Sequence, residues 1–194
     1  MKILILSLTG ILQSLTFHYL PIYENCGLRN NIDFITFIRA MARFKNAGTQ
    51  DSIFTIIDMK KPSTDKRLFV IDVNRQQLLH SSHVAHGRAS GELIAQKFSN
   101  KIGSHCTSTG LYRTAETYTG KNGYSLRLDG LDHGVNHNAR VRGIVIHSSK
   151  YASPTLAAKG SILGRSLGCP ALPPEHSRQI IETIKNGTLL YIAN

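Results

Sequence analysis

Apolar residues recur at helical spacing between Ile32 and Ala47, with Phe34, Phe37, Ile38, Met41 and Phe44 on one face. Arg43 and Lys45 fall in the last turn, where cations complement the helix dipole, and Gly48 can close the helix. The spacing predicts an amphipathic helix packed on the body of the protein. Pro62, Ser63, Thr64 and Asp65 then form a loop signal within residues 60–66. Beyond it the period changes. Leu68 to Val73 reads as a strand, Asn74-Arg75 as its turn, and Gln76 to His80 as the return strand. Tyr124, Leu126 and Leu128 alternate with polar neighbours, which marks another strand. Gly143-Ile144-Val145-Ile146 is a short apolar run leading into His147, a buried strand, and residues 187–193 hold a terminal one. Between these, Pro174 suits the first turn of a helix whose apolar face is Ile180, Ile181 and Ile184, with Asn186-Gly187 as its stop. The pattern predicts a mainly β domain over 66–194, preceded by a helical segment over 23–65.

Residues 1–22 read differently. Met1-Lys2 is followed by an apolar run to Leu12 that is too short for a comfortable membrane span. It resembles a secretory signal, although no small-x-small cleavage site follows. The expectation is an exported protein of the periplasm or cell envelope, with no stable membrane span once the signal is cleaved.

The 194 residues suffice for one domain, and 41% hydrophobic content supplies a core. The formal charge of +11 makes nucleic acid the first partner to consider. Only Lys60, Lys61, Lys66 and Arg67 cluster, however, and no helix-turn-helix, RNP or zinc-finger spacing is present. No nucleic-acid partner is expected. A general attraction to polyanions fits better, and a cell wall carrying carboxylates and phosphates is one. Three cysteines are too few for a disulfide framework. A Cys26–Cys106 bridge would leave Cys169 free, but spacing does not decide whether it forms.

Gly164-Arg165-Ser166-Leu167-Gly168-Cys169-Pro170-Ala171-Leu172 is the most informative segment. A glycine before the cysteine allows a sharp turn and close approach of a substrate. Pro170 restricts the Cys169 backbone, so the thiol is held in one orientation. The N–H groups of Gly168 and Cys169 become candidate oxyanion donors. A thiol at its ordinary pKa is mostly protonated at neutral pH and needs a base or a cationic neighbour. His147 ends a buried strand, a rigid place for an imidazole. If the Ser148 carbonyl orients one ring nitrogen, the other is left for Cys169. An isolated cysteine and histidine would be ordinary core residues. The Ser-x-Gly-Cys-Pro setting and the preceding strand point instead to a nucleophile and its base.

With this segment the chain resembles the L,D-transpeptidase (YkuD-like) catalytic family, in the branch carrying Gly-Arg-Ser-x-Gly-Cys-Pro-Ala-Leu. The resemblance runs from about Ile56 to Ile192. It takes in Val84-Ala85-His86-Gly87, Phe98-Ser99-Asn100, Ser108-Thr109-Gly110-Leu111-Tyr112 and Gly120-Lys121-Asn122-Gly123-Tyr124. It implies a β-sandwich catalytic domain with a few helices, and a mechanism. Cys169 attacks the carbonyl of the third residue of a peptidoglycan stem tetrapeptide, and the terminal D-alanine leaves a thioester. An amine of a neighbouring stem then forms a cross-link. The family's base maps onto His147, its base-orienting carbonyl onto Ser148, and its oxyanion donors onto Gly168 and Cys169. No metal or organic cofactor is implied. His86, in the family's His-Gly step, is expected to line the cleft. Arg165, Ser166 and Tyr124 are further candidates for substrate binding. Two positions depart from the wider family. Leu167 stands where histidine is common and Ala171 where arginine is common, so the roles of those residues do not carry over.

Two alternatives use the same site: water resolving the thioester, as in an L,D-carboxypeptidase, and a wall-binding protein that has lost catalysis. A zinc hydrolase is the rival from another class, because His80, His83 and His86 recur every three residues. On a strand that spacing puts neighbours on opposite faces, and no His-Glu-x-x-His motif is present. No metal site is expected. The oligomeric state stays open.

Overall fold

The computed structural model describes residues 18–159 and 161–194. Two helices come first, α1 over 18–25 and α2 over Phe34–Asn46. Strands β1 (Ile53–Asp58), β2 (Leu68–Asp72), β3 (Gln77–Ser82), β4 (Gly110–Gly120), β5 (Gly123–Gly130) and β6 (Val145–Ser148) follow. A short 3-10 turn (Lys150–Ala152) and helix α3 (Pro154–Ala158) lead to β7 (Ala171–Leu172), α4 (Pro174–Ile184) and β8 (Leu189–Ala193).

The α2 helix forms where its periodicity predicts. Asp33 caps it by accepting the Thr36 N–H at 2.9 Å, and Arg43 and Lys45 occupy the last turn. Residues 53–58, inside the stretch expected to be helical, are a strand and not a helix. The reason is burial on both faces. Such a strand shows a continuous apolar run rather than alternation, and so gives no period to read.

All eight strands form one sheet in the order β3-β2-β1-β8-β4-β5-β6-β7. The pairs β1–β8 and β6–β7 are parallel and the rest antiparallel. The sheet curls until its ends meet. Ala85, just past β3, exchanges both backbone hydrogen bonds with Ala171 of β7, at 2.8 and 3.2 Å. The curl encloses Leu68, Val70, Leu126, Leu128, Ile146, Leu190 and Ile192 in one apolar cluster with Ile180, Ile181 and Ile184 of α4. The alternate residues Phe54, Ile56, Phe69, Ile71 and Leu189 form a second cluster with Phe37 and Met41 of α2. The mainly β sandwich is therefore one rolled sheet, with α4 packed against its enclosed face and α1 and α2 against the opposite one.

Residues 1–17, most of the segment read as a signal, lie outside the described residues. The end of that segment belongs to α1, where Tyr19 and Ile22 are buried in the cluster that holds Phe37. A boundary after residue 22 would cut through this helix. All three cysteines are free. No helix among the described residues is long and apolar enough to cross a membrane.

Candidate active site

Cys169 sits at the end of a tight turn that opens into β7. The Ser166 hydroxyl closes the turn, accepting the Gly168 N–H at 3.0 Å and donating to the Cys169 carbonyl at 2.6 Å. The turn is tied to the chain after β3, because the Ser166 N–H donates to the His86 carbonyl at 2.9 Å and the Arg88 N–H to the Ser166 carbonyl at 2.8 Å. Gly168 has φ of +125°, and a Cβ there would lie 2.8 Å from the Cys106 carbonyl oxygen. Glycine is required twice over, for the conformation and for the approach.

His147 lies in β6 between Ser125 of β5 and Ala171 of β7, so backbone pairing on both sides holds it. Its Nδ1 is 2.9 Å from the Ser148 carbonyl oxygen. A carbonyl only accepts, so Nδ1 carries the proton and Nε2 keeps its lone pair. Burial lowers the His147 pKa, against a smaller opposing effect of that hydrogen bond. The Cys169 thiol points at the Gly143 carbonyl at 3.6 Å. Burial raises its pKa, while a Val145 amide hydrogen bond and the charge of Arg142 pull it down. The resting pair is thus a neutral thiol and a neutral imidazole. Both line a cavity of ≈410 Å³ with Arg142, Tyr151, Lys121 and Arg165. A hollow of ≈490 Å³ among Arg29, Asp33, Lys60 and Lys61 is larger but contains no thiol or imidazole.

Four expectations are altered by the contacts these residues make. The Gly168 N–H is occupied by Ser166 and is not free for an oxyanion. Ser166 lines the cavity, but its hydroxyl has its donor and one acceptor site committed within the turn, which leaves one acceptor site for a substrate. Tyr124 is absent from the cavity wall. Its hydroxyl donates to Glu182 of α4, and Arg178 stacks on its ring 4.5 Å from the centroid. His86 is completely buried, not a cleft residue. Its Nδ1 is 2.7 Å from Arg67 Nη2 and its Nε2 is 3.1 Å from the Gly91 carbonyl oxygen. Because the guanidinium only donates, His86 is neutral, with its proton on Nε2. Arg165 does reach the cavity, but it is paired with Glu92. The other histidines disperse. His80 meets Thr183 Oγ1 at 2.8 Å, and His83 the Thr64 carbonyl oxygen at 2.9 Å. Among the cavity residues that sequence reasoning did not propose for the site are Arg142, Tyr151 and Lys121. Arg142 had one available signal, its place five residues before His147 at the entry to a buried strand.

His86 makes folding pH-sensitive. Burial, then the Arg67 charge, push its pKa from 6.5 to about 4. Between those values the unfolded chain binds a proton that the folded chain refuses. Stability is complete above the unfolded pKa and falls as pH drops through this window, by about 3 kcal/mol for this group. His80, His83 and His147 are also lowered, first by burial, and act with the same sign. The urea midpoint is expected to fall between neutral pH and pH ~5, and a midpoint flat over that range contradicts the assignment.

A model of the L,D-transpeptidase catalytic domain matches residues 29–193. Among solved structures, an L,D-transpeptidase from Mycobacterium smegmatis is 13% identical, with a TM-score of 0.46 over 74% of this chain and 59% of its own. L,D-transpeptidase 3 from Mycobacterium tuberculosis is 12% identical, with a TM-score of 0.48 over 74% and 61%. The helical cell shape determining protein Pgp2 (K307A mutant) from Campylobacter jejuni is 13% identical, with a TM-score of 0.50 over 83% and 56%. At such identities these likenesses concern the fold. The chain spans about three fifths of the length of the first solved structures it matches. No curated protein matches it.

Proposed function

The chain belongs to the L,D-transpeptidase catalytic-domain family, and from that premise we propose that it is a cysteine acyl transferase acting on peptidoglycan stem tetrapeptides. The observation that carries the reading is the shared cavity of Cys169 and His147, with His147 Nδ1 committed to the Ser148 carbonyl. In this mechanism His147 Nε2 takes the thiol proton as sulfur attacks the carbonyl of the third stem residue. The Cys169 N–H, which has no acceptor among the described residues, stabilises the developing oxyanion. Collapse of the tetrahedral intermediate expels D-alanine, whose nitrogen receives the proton from His147, and leaves a thioester. The amine of a second stem attacks that thioester, its proton passes to His147, and the thiol is regenerated with the cross-link formed. Lys121 on the cavity wall is suited to a stem carboxylate. The substrate lies outside the cytoplasm, so the reading requires export. The charge of +11 suits residence on an anionic wall.

The test is incubation of the purified protein with disaccharide-tetrapeptide, with products identified by mass spectrometry. Cross-linked dimer supports transfer. Tripeptide alone assigns the thioester to water and makes the protein an L,D-carboxypeptidase. Absence of any product, with no thioester adduct on Cys169, sinks both and leaves a wall-binding role.

A further inference from the structure

Arg142 lies in the loop before β6 and lines the cavity beside Cys169. Its guanidinium donates to the Ser99 carbonyl at 2.7 Å, the Cys106 carbonyl at 2.6 Å, Ser104 Oγ at 3.2 Å and Ser108 Oγ. All four acceptors are neutral. Among the described residues Arg142 makes no ion pair. Hydrogen bonds thus fix the position of the charge and nothing cancels it. Gly168 makes the approach possible, since a Cβ there would stand only 3.2 Å from Arg142 Nη2.

We propose that Arg142 is the positioning cation of this site, a fixed charge that favours the thiolate of Cys169 and sets the pH at which the nucleophile forms. The other titratable groups around the cavity do not fill that role. His147, from β6, is disfavoured as a cation by burial. Tyr151, from the 3-10 turn, is neutral, its pKa raised by burial. Arg165 is neutralised by Glu92. Lys121 sits on the exposed β4–β5 turn, where water screens it. His147 can accept the thiol proton but supplies no standing charge. Arg142 supplies the charge and moves no proton, because a guanidinium stays protonated. This chain has Ala171 where arginine is common, and a guanidinium lines the same cavity as the thiol from another element.

The proposal rests on Cys169 being the nucleophile, and its test needs no peptide substrate. In the full chain, the rate of iodoacetamide alkylation of Cys169 is followed against pH, with the label assigned by peptide mapping because Cys26 and Cys106 are buried. In Arg142→Met the titration midpoint moves up and the rate at neutral pH falls about tenfold, one unit of thiol pKa. Arg142→Lys keeps the charge but loses the planar hydrogen-bonding fork, and recovers most of the rate. A purely structural role would make lysine behave like methionine. Ser104→Asp gives the guanidinium a carboxylate partner while leaving it in place, with Ser104→Asn as the neutral control. The midpoint rises with aspartate and not with asparagine, which carries the test if Arg142→Met does not fold. Unchanged midpoints in the folded variants overturn the proposal. Failure of the wild type to react with tetrapeptide overturns the functional reading instead and leaves the midpoints unaffected.

Discussion

Exchange of Cys169 for serine is expected to cut product formation from a disaccharide-tetrapeptide by on the order of 10³-fold or more, with the urea midpoint close to that of the wild type. The thiol is half-buried and the hydroxyl is smaller, so packing changes little. The chemistry changes greatly. A thiol loses its proton several pKa units more readily than an alcohol, and His147 is a weak base because its burial disfavours the imidazolium. A neutral imidazole of lowered pKa can assist a thiol beside a guanidinium, but it gains little from a serine. His147→Gln keeps a polar side chain and removes the base, and is expected to cost roughly 10²–10⁴-fold. Turnover and the mass of the acyl-enzyme adduct are measured together. A Cys169→Ser protein that retained wild-type turnover would remove Cys169 from the chemistry.

The largest effect on stability is expected at Arg67→Met. Arg67 is completely buried, and burial lowers its pKa to about 10. It donates twice to the Val84 carbonyl, at 2.7 and 3.0 Å, to the Lys61 carbonyl at 3.0 Å, and to His86 Nδ1. Methionine fills similar space and donates nothing, so the buried Val84 carbonyl and His86 Nδ1 and the partly buried Lys61 carbonyl lose their donor. At roughly 1–3 kcal/mol for each buried group left unpaired, the loss is about 3–9 kcal/mol, a large share of a domain's stability. Urea unfolding measures it, with the exposed Arg29→Met as a near-silent control. The loss also reaches the site. Arg67 holds His86, whose carbonyl holds Ser166, whose hydroxyl shapes the Cys169 turn. A midpoint unchanged by Arg67→Met would mean that water replaces all its hydrogen bonds.

What could be read from the sequence follows from where each signal lives. Helices α2 and α4 and strands β2, β3, β5, β6 and β8 were legible, because local period, caps and turn residues announce them. Strand β1 was hidden by burial on both faces, and β4 by the irregularity between Thr114 and Thr117 that interrupts its alternation. In the candidate site, Cys169 and His147, which line one cavity, could be singled out because glycine, proline and an apolar strand stand next to them in the chain. The directions of His86, Ser166 and Tyr124 could not be read, since each is set by a partner from elsewhere: Arg67, the turn around Cys169, and α4. Arg142 was harder still. Its acceptors lie 34 to 43 residues away in sequence, and nothing near it hints at them.

The place of β8 has a consequence for timing. This strand follows every other in the chain, yet it lies between β1 and β4, pairing parallel with one and antiparallel with the other. Until the ribosome has made and released residues 189–193, β3-β2-β1 and β4-β5-β6-β7 have no backbone joining them into one sheet. The two halves must wait as separate, sticky pieces, and long-range pairing of this kind is slow. Such a sheet does not lock into its final shape before its last strand has been made. Closure of the sheet is thus the last step of folding, and the two halves meet through this one strand.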